Sequence, residues 1–255
     1  DGHPETVKKI RREDLIMFHR EHYGPRGMVM AIVGAVKPEE AVRQVKRALG
    51  SWQVRGQKEV PELPAVKILK KVTSKSHKIA GKSQSDLIVG TNGPRRRDPE
   101  FMAASLGNNI LGQFGLMGRI GDVVREKAGL AYYAGSSLSA GLAPGSWEVS
   151  AGVNPQNVQR ATDLIVSELK RFVDEGVTAS ELADSQTNYI GRLPLSLESN
   201  NGVAGALLNI ERYDLGLDYY RRYSGLVSEV SLEAVLNAAR KFIGPDRLAI
   251  AVAGP

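Results

Sequence analysis

The 255-residue chain contains no cysteine, few aromatic residues and no long apolar run. Without cysteine it has neither disulfides nor thiolate chemistry, and this composition suits the cytoplasm and the periplasm alike. No apolar run approaches the roughly 20 residues of a membrane-spanning helix, so we expect a soluble protein without a membrane partner. Hydrophobic residues make up 42% of the chain and charged residues 24%, as in an ordinary globular protein.

The net charge of +6 raises the question of nucleic-acid binding. Basic residues crowd between Lys67 and Lys82 and again at Arg95-Arg96-Arg97. Neither group alternates with aromatic residues, which form only 6% of the chain. Solvated loops and linkers explain this charge better, so we expect no nucleic acid among the partners.

Motifs for metal or phosphate chemistry are incomplete in this sequence. His19 and His22 stand three residues apart, whereas the zinc motifs H-E-x-x-H and H-x-x-E-H separate their histidines by four, so we expect no metal here. Gly81-Lys82-Ser83 lacks the glycine that a phosphate-binding loop carries five residues earlier, where Ser76 stands. The glycines from Gly112 to Gly121 are better explained by close packing of a helix than by nucleotide binding.

Hydrophobic periodicity predicts many helices and few strands. This order predicts an α+β fold in which helices pack on a mostly antiparallel sheet, rather than a strict βαβ alternation. Pro194 should kink or end the helix that contains it. The predicted helices are 5–22, 38–49, 98–111, 154–173, one opened by a capping box at 178–181, 200–215, 218–228 and 231–243, and the predicted strands are 28–33, 78–90, 130–142, 146–153 and 248–253.

The end of the chain repeats its beginning at a constant offset of 220 residues, so that residues 10–34 align with 230–254 without a gap. Tyr23-Gly24-Pro25 matches Ile243-Gly244-Pro245, and similar residues recur on both sides of this break. We infer a duplicated domain with a complete second copy at 76–255, a linker at 53–75, and the last helix–strand–helix part of the first copy at 1–52. The rest of the first copy is expected before Asp1.

The stretch from Arg125 to Tyr132 resembles the end of a helix followed by a buried strand. Gly129 is placed to end the helix, and cations suit its last turn. Arg125 and Tyr132 would meet at one edge of the sheet, where both can donate hydrogen bonds to a carbonyl or an oxyanion. The alternative is an exposed arginine and a core tyrosine. The helical spacing rests on Met117, Ile120, Val123 and Val124.

With these features the chain resembles the pitrilysin/insulinase family of zinc metallopeptidases, the inverzincins, and especially their bacterial, processing-peptidase-like branch. The family fold is a pair of homologous α+β domains, which agrees with the repeat. The segments that carry the resemblance are Ile10 to Pro25 with Met28 to Gly34, Ile110 to Gly112 with Met117 to Arg119, Arg125 to Tyr132, and Gly176 to Thr178 with Glu181 and Leu182.

The resemblance implies a zinc-bearing first domain and a second domain that binds the peptide substrate through an arginine and a tyrosine seven residues apart. The matching positions are Arg125 and Tyr132, and Tyr133 competes only if the strand register shifts by one residue. Because H-x-x-E-H does not occur in this sequence, the resemblance implies no cofactor and no catalysis in the chain alone. Zinc is expected in the missing N-terminal domain or in a partner.

Two functions follow from this resemblance. In the first, the chain is expected to be the C-terminal, substrate-binding half of a zinc-dependent metalloendopeptidase that acts on peptides or unfolded segments. Alternatively, it belongs to a catalytically inactive partner or scaffold subunit in a homodimer or heterodimer with an active chain.

Overall fold

The computed structural model describes residues 2–114 and 118–255. It divides the chain into two units, one formed by residues 1–64 with 196–212 and the other by residues 65–195 with 213–255. The domain limits inferred from the repeat, at 52/53 and 75/76, stay a prediction. Met117 and Gly115, which belong to the predicted helix and to the glycine-rich run, lie outside the described residues.

The first unit begins with α1 (Pro4–Val7), α2 (Arg12–His22) and α3 (Pro38–Leu49). The prediction of α3 is confirmed, but the single helix expected over 5–22 is wrong, because it breaks between Val7 and Arg12. The carboxylate of Asp14 accepts the backbone N–H of Arg11 at 2.8 Å and thereby starts a new helix.

The strand predicted at residues 28–33 is wrong. No residue of this segment belongs to a strand in the described chain, and the side chains of Met28, Val29, Met30 and Ile32 are exposed. A strand exists only where a neighbour accepts and donates its backbone hydrogen bonds. The apolar run has strand composition but no neighbour among the described residues.

The second unit is built on a five-stranded sheet with the order β1-β5-β2-β4-β3. Apart from the parallel pair of β1 and β5, the described strand pairs are antiparallel, which confirms the predicted α+β class with a mostly antiparallel sheet. The strands are β1 (Thr73–Lys78), β2 (Ser85–Asn92), β3 (Ala131–Leu138), β4 (Ser146–Val153) and β5 (Ala249–Gly254).

Strand β1 starts inside the segment predicted to be a linker. Its six residues are polar and exposed, so hydrophobic alternation gives no sign of it. Parallel pairing from Thr73 opposite Ala249 to Lys78 opposite Gly254 forms it at the edge of the sheet, where polar and lysine side chains are usual.

Helices cover one face of this sheet. Leu87 and Val89 of β2 and Trp147 of β4 are buried, in one cluster with Phe172 and Val235 from the helices. Burying such side chains supplies most of the stabilisation of the fold. The remaining helical segments of this unit are α4 (Phe101–Gly112), α5 (Gly118–Gly121), a π-helix (Asp122–Lys127), a 3₁₀ turn (Pro155–Asn157), α6 (Val158–Glu175), α7 (Ala179–Ser196), α9 (Tyr219–Ser228) and α10 (Leu232–Phe242). Helix α8 (Asn200–Tyr213) falls in the first unit except for its last residue.

The helix ends follow the local sequence signals. Thr178 and Glu181 form the predicted capping box, in which the Thr178 N–H donates to Glu181 Oε2 at 2.7 Å and the Glu181 N–H donates to Thr178 Oγ1 at 3.2 Å. Helix α7 ends at Ser196, two residues beyond Pro194, as the proline predicts.

The local structure of the two repeats agrees at helix level. Helices α2 and α10 cover 12–22 and 232–242, the same span at the offset of 220 residues. The residues that follow them, Tyr23 (φ −94°, ψ 117°) and Ile243 (φ −90°, ψ 113°), adopt nearly the same conformation. Their surroundings differ, because α10 buries three side chains (Val235, Ala238 and Ala239) and α2 buries none.

Candidate functional site

The turn between the π-helix and β3 carries the two residues of the predicted site. Gly129 has φ 63°, and its N–H donates to the carbonyl of Arg125 at 3.0 Å, which confirms it as the helix stop. The Leu130 N–H donates to the carbonyl of Val124 at 3.0 Å, and both of these side chains are buried. The turn is therefore anchored in the core, with Arg125 before it and Tyr132 after it.

The helix that ends here is wider than predicted. Residues 122–127 form a π-helix instead of an α-helix, which inserts an extra residue into the turn. The side chain of Arg125 is 39% exposed, and its Nε lies 3.6 Å from Glu126 Oε1. This distance is too long for a hydrogen bond, so in the described chain the guanidinium keeps its donors available to a ligand.

Tyr132 lies in a β-bulge. Ala131 pairs with Val153 and Tyr133 with Gly152, so Tyr132 has no partner of its own on β4. Farther along β3, Ala134 and Ser136 are buried, and strict alternation would place Tyr132 on the same face. The bulge breaks this alternation and leaves Tyr132 84% exposed, so the alternative of a core tyrosine is wrong.

Tyr133, the competing residue, is already engaged. Its hydroxyl lies 3.4 Å from Asp86 Oδ1, to which it donates a long hydrogen bond. Burial raises the pKa of the Tyr133 phenol, and the neighbouring Asp86 carboxylate raises it further.

Arg125 and Tyr132 lie at the two ends of one turn, and the donors of both side chains are exposed. No hydrogen bond joins the two side chains in the described chain.

A charged network beside this turn was missed by the sequence reasoning. Arg119, in the short helix before the π-helix, donates two hydrogen bonds to Glu181, from Nε at 2.7 Å and from Nη2 at 2.6 Å. Its Nη1 lies 3.8 Å from Oε1 of Glu168, whose side chain is only 3% exposed. Arg171 completes the network with two hydrogen bonds to Glu168, at 2.9 and 2.8 Å.

The network keeps Glu181 ionised. Burial by itself would raise its pKa, but hydrogen bonds from Arg119 and Thr178 outweigh burial and lower the pKa of Glu181 to about 2. The capping box was visible in the sequence and located Glu181. Its partner Arg119 was not predictable, because 62 residues separate the two.

A cleft of about 360 Å³ lies beside the network. It opens between the network and the π-helix, which brings Glu126, the neighbour of Arg125, to its wall. Among the described residues, carboxylates make up most of its polar lining. The lining residues are Ile110, Phe114, Gly118, Arg119, Asp122, Glu126, Glu181 and Asp184.

The described residues do not fit a zinc ion. Over residues 2–114 and 118–255 no group of three or more histidine, aspartate or glutamate side chains is arranged to hold a metal. His19 stacks on Tyr23 with ring centres 5.1 Å apart, and His22 packs against Phe18 at 4.5 Å. The two histidines are thus part of an aromatic cluster on α2.

The other sequence motifs also have structural explanations. Lys82, of the incomplete phosphate-loop motif, forms an ion pair with Asp86. Gly112 packs closely against β3, where an added Cβ would lie 2.0 Å from the Ser136 nitrogen, so this part of the glycine-rich run serves packing as predicted. No helix in the described part of the chain is long and apolar enough to cross a membrane.

The chain has the fold of a known class of peptidase domains. The structure matches the crystal structure of a peptidase M16 inactive domain from Pseudomonas fluorescens with a TM-score of 0.88 and 27% identity, over 100% of this chain and 60% of that one. A protease from Helicobacter pylori has the same fold, with a TM-score of 0.90 and 18% identity over 100% of this chain and 62% of that one.

Comparison of the sequence with known families identifies the family. Residues 9–189 match the family described as Peptidase M16 inactive domain, and the chain belongs to that family. An uncharacterized zinc protease of Mycobacterium leprae is 28% identical over 269 residues, covering 100% of this chain and 57% of the relative. The chain thus spans just over half of that relative, and the resemblance to the pitrilysin/insulinase zinc metallopeptidases is confirmed.

Proposed function

We propose that this chain is the substrate-binding half of a zinc-dependent endopeptidase and is inactive by itself. The observation that carries the proposal is the turn from Arg125 to Tyr132, which presents an exposed phenol and a guanidinium with available donors from a buried anchor. Both groups suit the carbonyl oxygens of a peptide backbone.

The surroundings support binding by a preorganised turn. Arg119 joins the segment before the π-helix to the start of α7 through Glu181, and Val124 and Leu130 bury the base of the turn. A rigid support lowers the entropy that substrate binding costs. The chain's own residues would orient an extended peptide, while zinc chemistry belongs to a domain or partner outside these residues.

The repeat supports a domain of the same class as the missing half. Helix α10 buries part of one face in the core and strand β5 is paired on both sides in the five-stranded sheet, whereas their counterparts, α2 and residues 29–34, have a similar local sequence without such partners among the described residues. Apolar side chains there, such as Phe18 and Met30, are exposed. An upstream domain that adds strands on both sides of 29–34 would bury them, as β1 and β2 flank β5.

The test uses the full-length protein with its upstream sequence. We expect Arg125→Ala and Tyr132→Phe each to lower the cleavage rate of a fluorescent unfolded casein by about 10²–10³, the usual loss for one transition-state hydrogen bond. Zinc content should stay unchanged. Lys127→Ala is the matched control, because Lys127 lies at the same helix end but pairs with Asp122 at 2.6 Å. Wild-type cleavage by both variants would contradict the proposal.

The same protein distinguishes the enzyme from an inactive partner subunit. An intact H-x-x-E-H motif upstream, with chelator-sensitive cleavage, supports the enzyme. A degenerate motif with cleavage only after mixing with an active chain supports the partner. In either case residues 1–255 alone should hydrolyse no peptide, and chelator-sensitive hydrolysis by this piece would overturn both interpretations.

A further inference from the structure

Two adjacent strands in the middle of the sheet carry apolar residues on both of their faces. Strand β5 is a continuous run of alanine, isoleucine, valine and glycine, and β2 carries Leu87, Ile88 and Val89 in succession. Leu87 and Val89 are buried beneath the helices, whereas Ile88 lies on the opposite face and is 41% exposed. Its neighbour on β5, Ala251, is exposed as well.

This composition is typical of a sheet that is covered on both faces. Strands in a sheet with one solvated face alternate apolar and polar residues, and strands covered on both faces are apolar throughout. In the described chain helices cover one face only, and the other face, which carries Ile88, Ala249 and Ala251, is the open face. Strands β5 and β2 therefore predict a second cover, which the described residues do not provide.

The first copy of the repeat shows the opposite pattern of burial at residues 220 positions earlier. Ile32 is 48% exposed, although its counterpart Val252 packs against the core. Ala31 is half-buried, although its counterpart Ala251 is exposed. In the first copy, the side that corresponds to the open face is thus the better covered one.

A helix of the second copy belongs to the same unit as that segment. Residues 196–212, which contain almost all of α8, group with the first unit and not with the second. A Cβ added to Gly34 would lie 3.6 Å from Nδ2 of Asn200, the first residue of α8. On the same helix Ala206 and Ile210 are buried.

We propose that the open face binds the upstream counterpart of α8, a helix of the first copy that precedes Asp1. Subtracting the offset of 220 from Asn200 and Tyr213 places this helix at positions −20 to −7. The exchange is reciprocal, because α8 covers the first copy and its counterpart covers the second. The chain spans just over half of the Mycobacterium leprae relative, so that protein has length for such a segment. The inference rests on the upstream domain of the proposed function, but not on peptide binding or cleavage.

The absence of cysteine in this chain gives a direct test. In the full-length protein, with any upstream cysteine replaced by serine, Ile88→Cys introduces one thiol whose alkylation by iodoacetamide is followed by mass spectrometry. The control thiol is Ser167→Cys, on the exposed side of α6, which packs on the other face of the sheet. The thiol at position 88 should react at least about tenfold more slowly than the control, because a covered thiol reacts only through local opening. Weaker protection overturns the proposal.

Cross-linking identifies the occupant of the open face. Lys75 on the edge strand β1 pairs with Ala251 and lies at the rim of this face. In the full-length protein, Lys75→Cys labelled with benzophenone maleimide should form a link within one chain, on irradiation, to the segment at positions −20 to −7. A link to another segment, a link between two chains or no link overturns the proposal.

A third thiol separates this inference from the proposed function. Leu15 on α2 is 61% exposed, and an upstream domain that buries α2 should slow the alkylation of Leu15→Cys. Protection at position 15 without protection at position 88 overturns this inference alone. Alkylation of both thiols at the rate of Ser167→Cys contradicts the upstream domain as well. The cleavage assay of the Arg125 and Tyr132 variants decides substrate binding independently of these results.

Discussion

The guanidinium of Arg119 and the carboxylate of Glu181 face each other in a bidentate pair, with Nε–Oε1 at 2.7 Å and Nη2–Oε2 at 2.6 Å. The same carboxylate accepts the backbone N–H of Thr178 and so caps α7. One side chain thus joins the start of α7 to the segment that leads into the π-helix. Arg125 lies in that π-helix.

Stability should therefore depend on pH through Glu181. Its pKa is lowered from 4.5 to about 2, so its contribution is complete above about pH 5 and is lost as the pH falls towards 2. We expect Glu181→Gln to destabilise the fold on the order of 2 kcal/mol at pH 7, with the difference from wild type vanishing near pH 2. Urea unfolding at a series of pH values measures this difference.

Glu175→Gln is the control, since Glu175 is exposed at the end of α6 and accepts no side-chain hydrogen bond in the described chain. Its effect should be small and should vary little with pH. A Glu181→Gln difference that stays constant from pH 7 to pH 2 would show that the ion pair with Arg119 does not contribute through charge.

Replacing Arg119 should destabilise the fold more than the partial exposure of its side chain suggests. Its side chain is 14% exposed and faces Glu168, which is nearly fully buried. Arg119→Ala leaves one carboxylate unpaired and weakens the environment of the other, so we expect a loss of about 3 kcal/mol. Arg119→Lys keeps the charge but not the planar fork and should recover less than half of that loss.

Thermal and urea unfolding of both Arg119 variants check this order. Arg95→Ala is the comparison, because Arg95 makes an exposed ion pair with Asp98, and such pairs contribute at most about 1 kcal/mol. Equal losses for Arg119→Lys and Arg119→Ala would agree with a fork that is needed. Full recovery by lysine would show that charge alone is sufficient.

Local signals predicted those parts of the fold that depend on nearby residues. The capping box at Thr178, the glycine stop at Gly129 and the bounds of β4 are each specified within a few positions. The strand expected at 28–33 failed because strand formation requires a neighbour that the described chain does not provide. Strand β1 was missed for the opposite reason, since a neighbour pairs with a sequence that has no strand pattern.

The candidate site, too, could be predicted only in part from the sequence. The spacing of Arg125 and Tyr132 around a glycine was readable in the sequence, but the features that determine their exposure were not. The π-helix and the bulge each add one residue relative to a regular pattern, and both depend on tertiary pairing. Periodicity alone would have buried Tyr132 beside Ala134.

The repeat allows one substitution to be compared in two contexts. Leu15 on α2 corresponds to Val235 on α10, and Leu15 is 61% exposed whereas Val235 is buried. In residues 1–255 alone, Leu15→Asp should leave the unfolding temperature nearly unchanged, while Val235→Asp should cost about 3–5 kcal/mol because it buries a charge. In the full-length protein, where we propose an upstream domain that covers α2, Leu15→Asp should become destabilising by a similar amount. Calorimetry of both lengths measures this, with Glu13→Asp on α2 as the control. If Leu15→Asp remains neutral in the full-length protein, α2 is not covered as proposed.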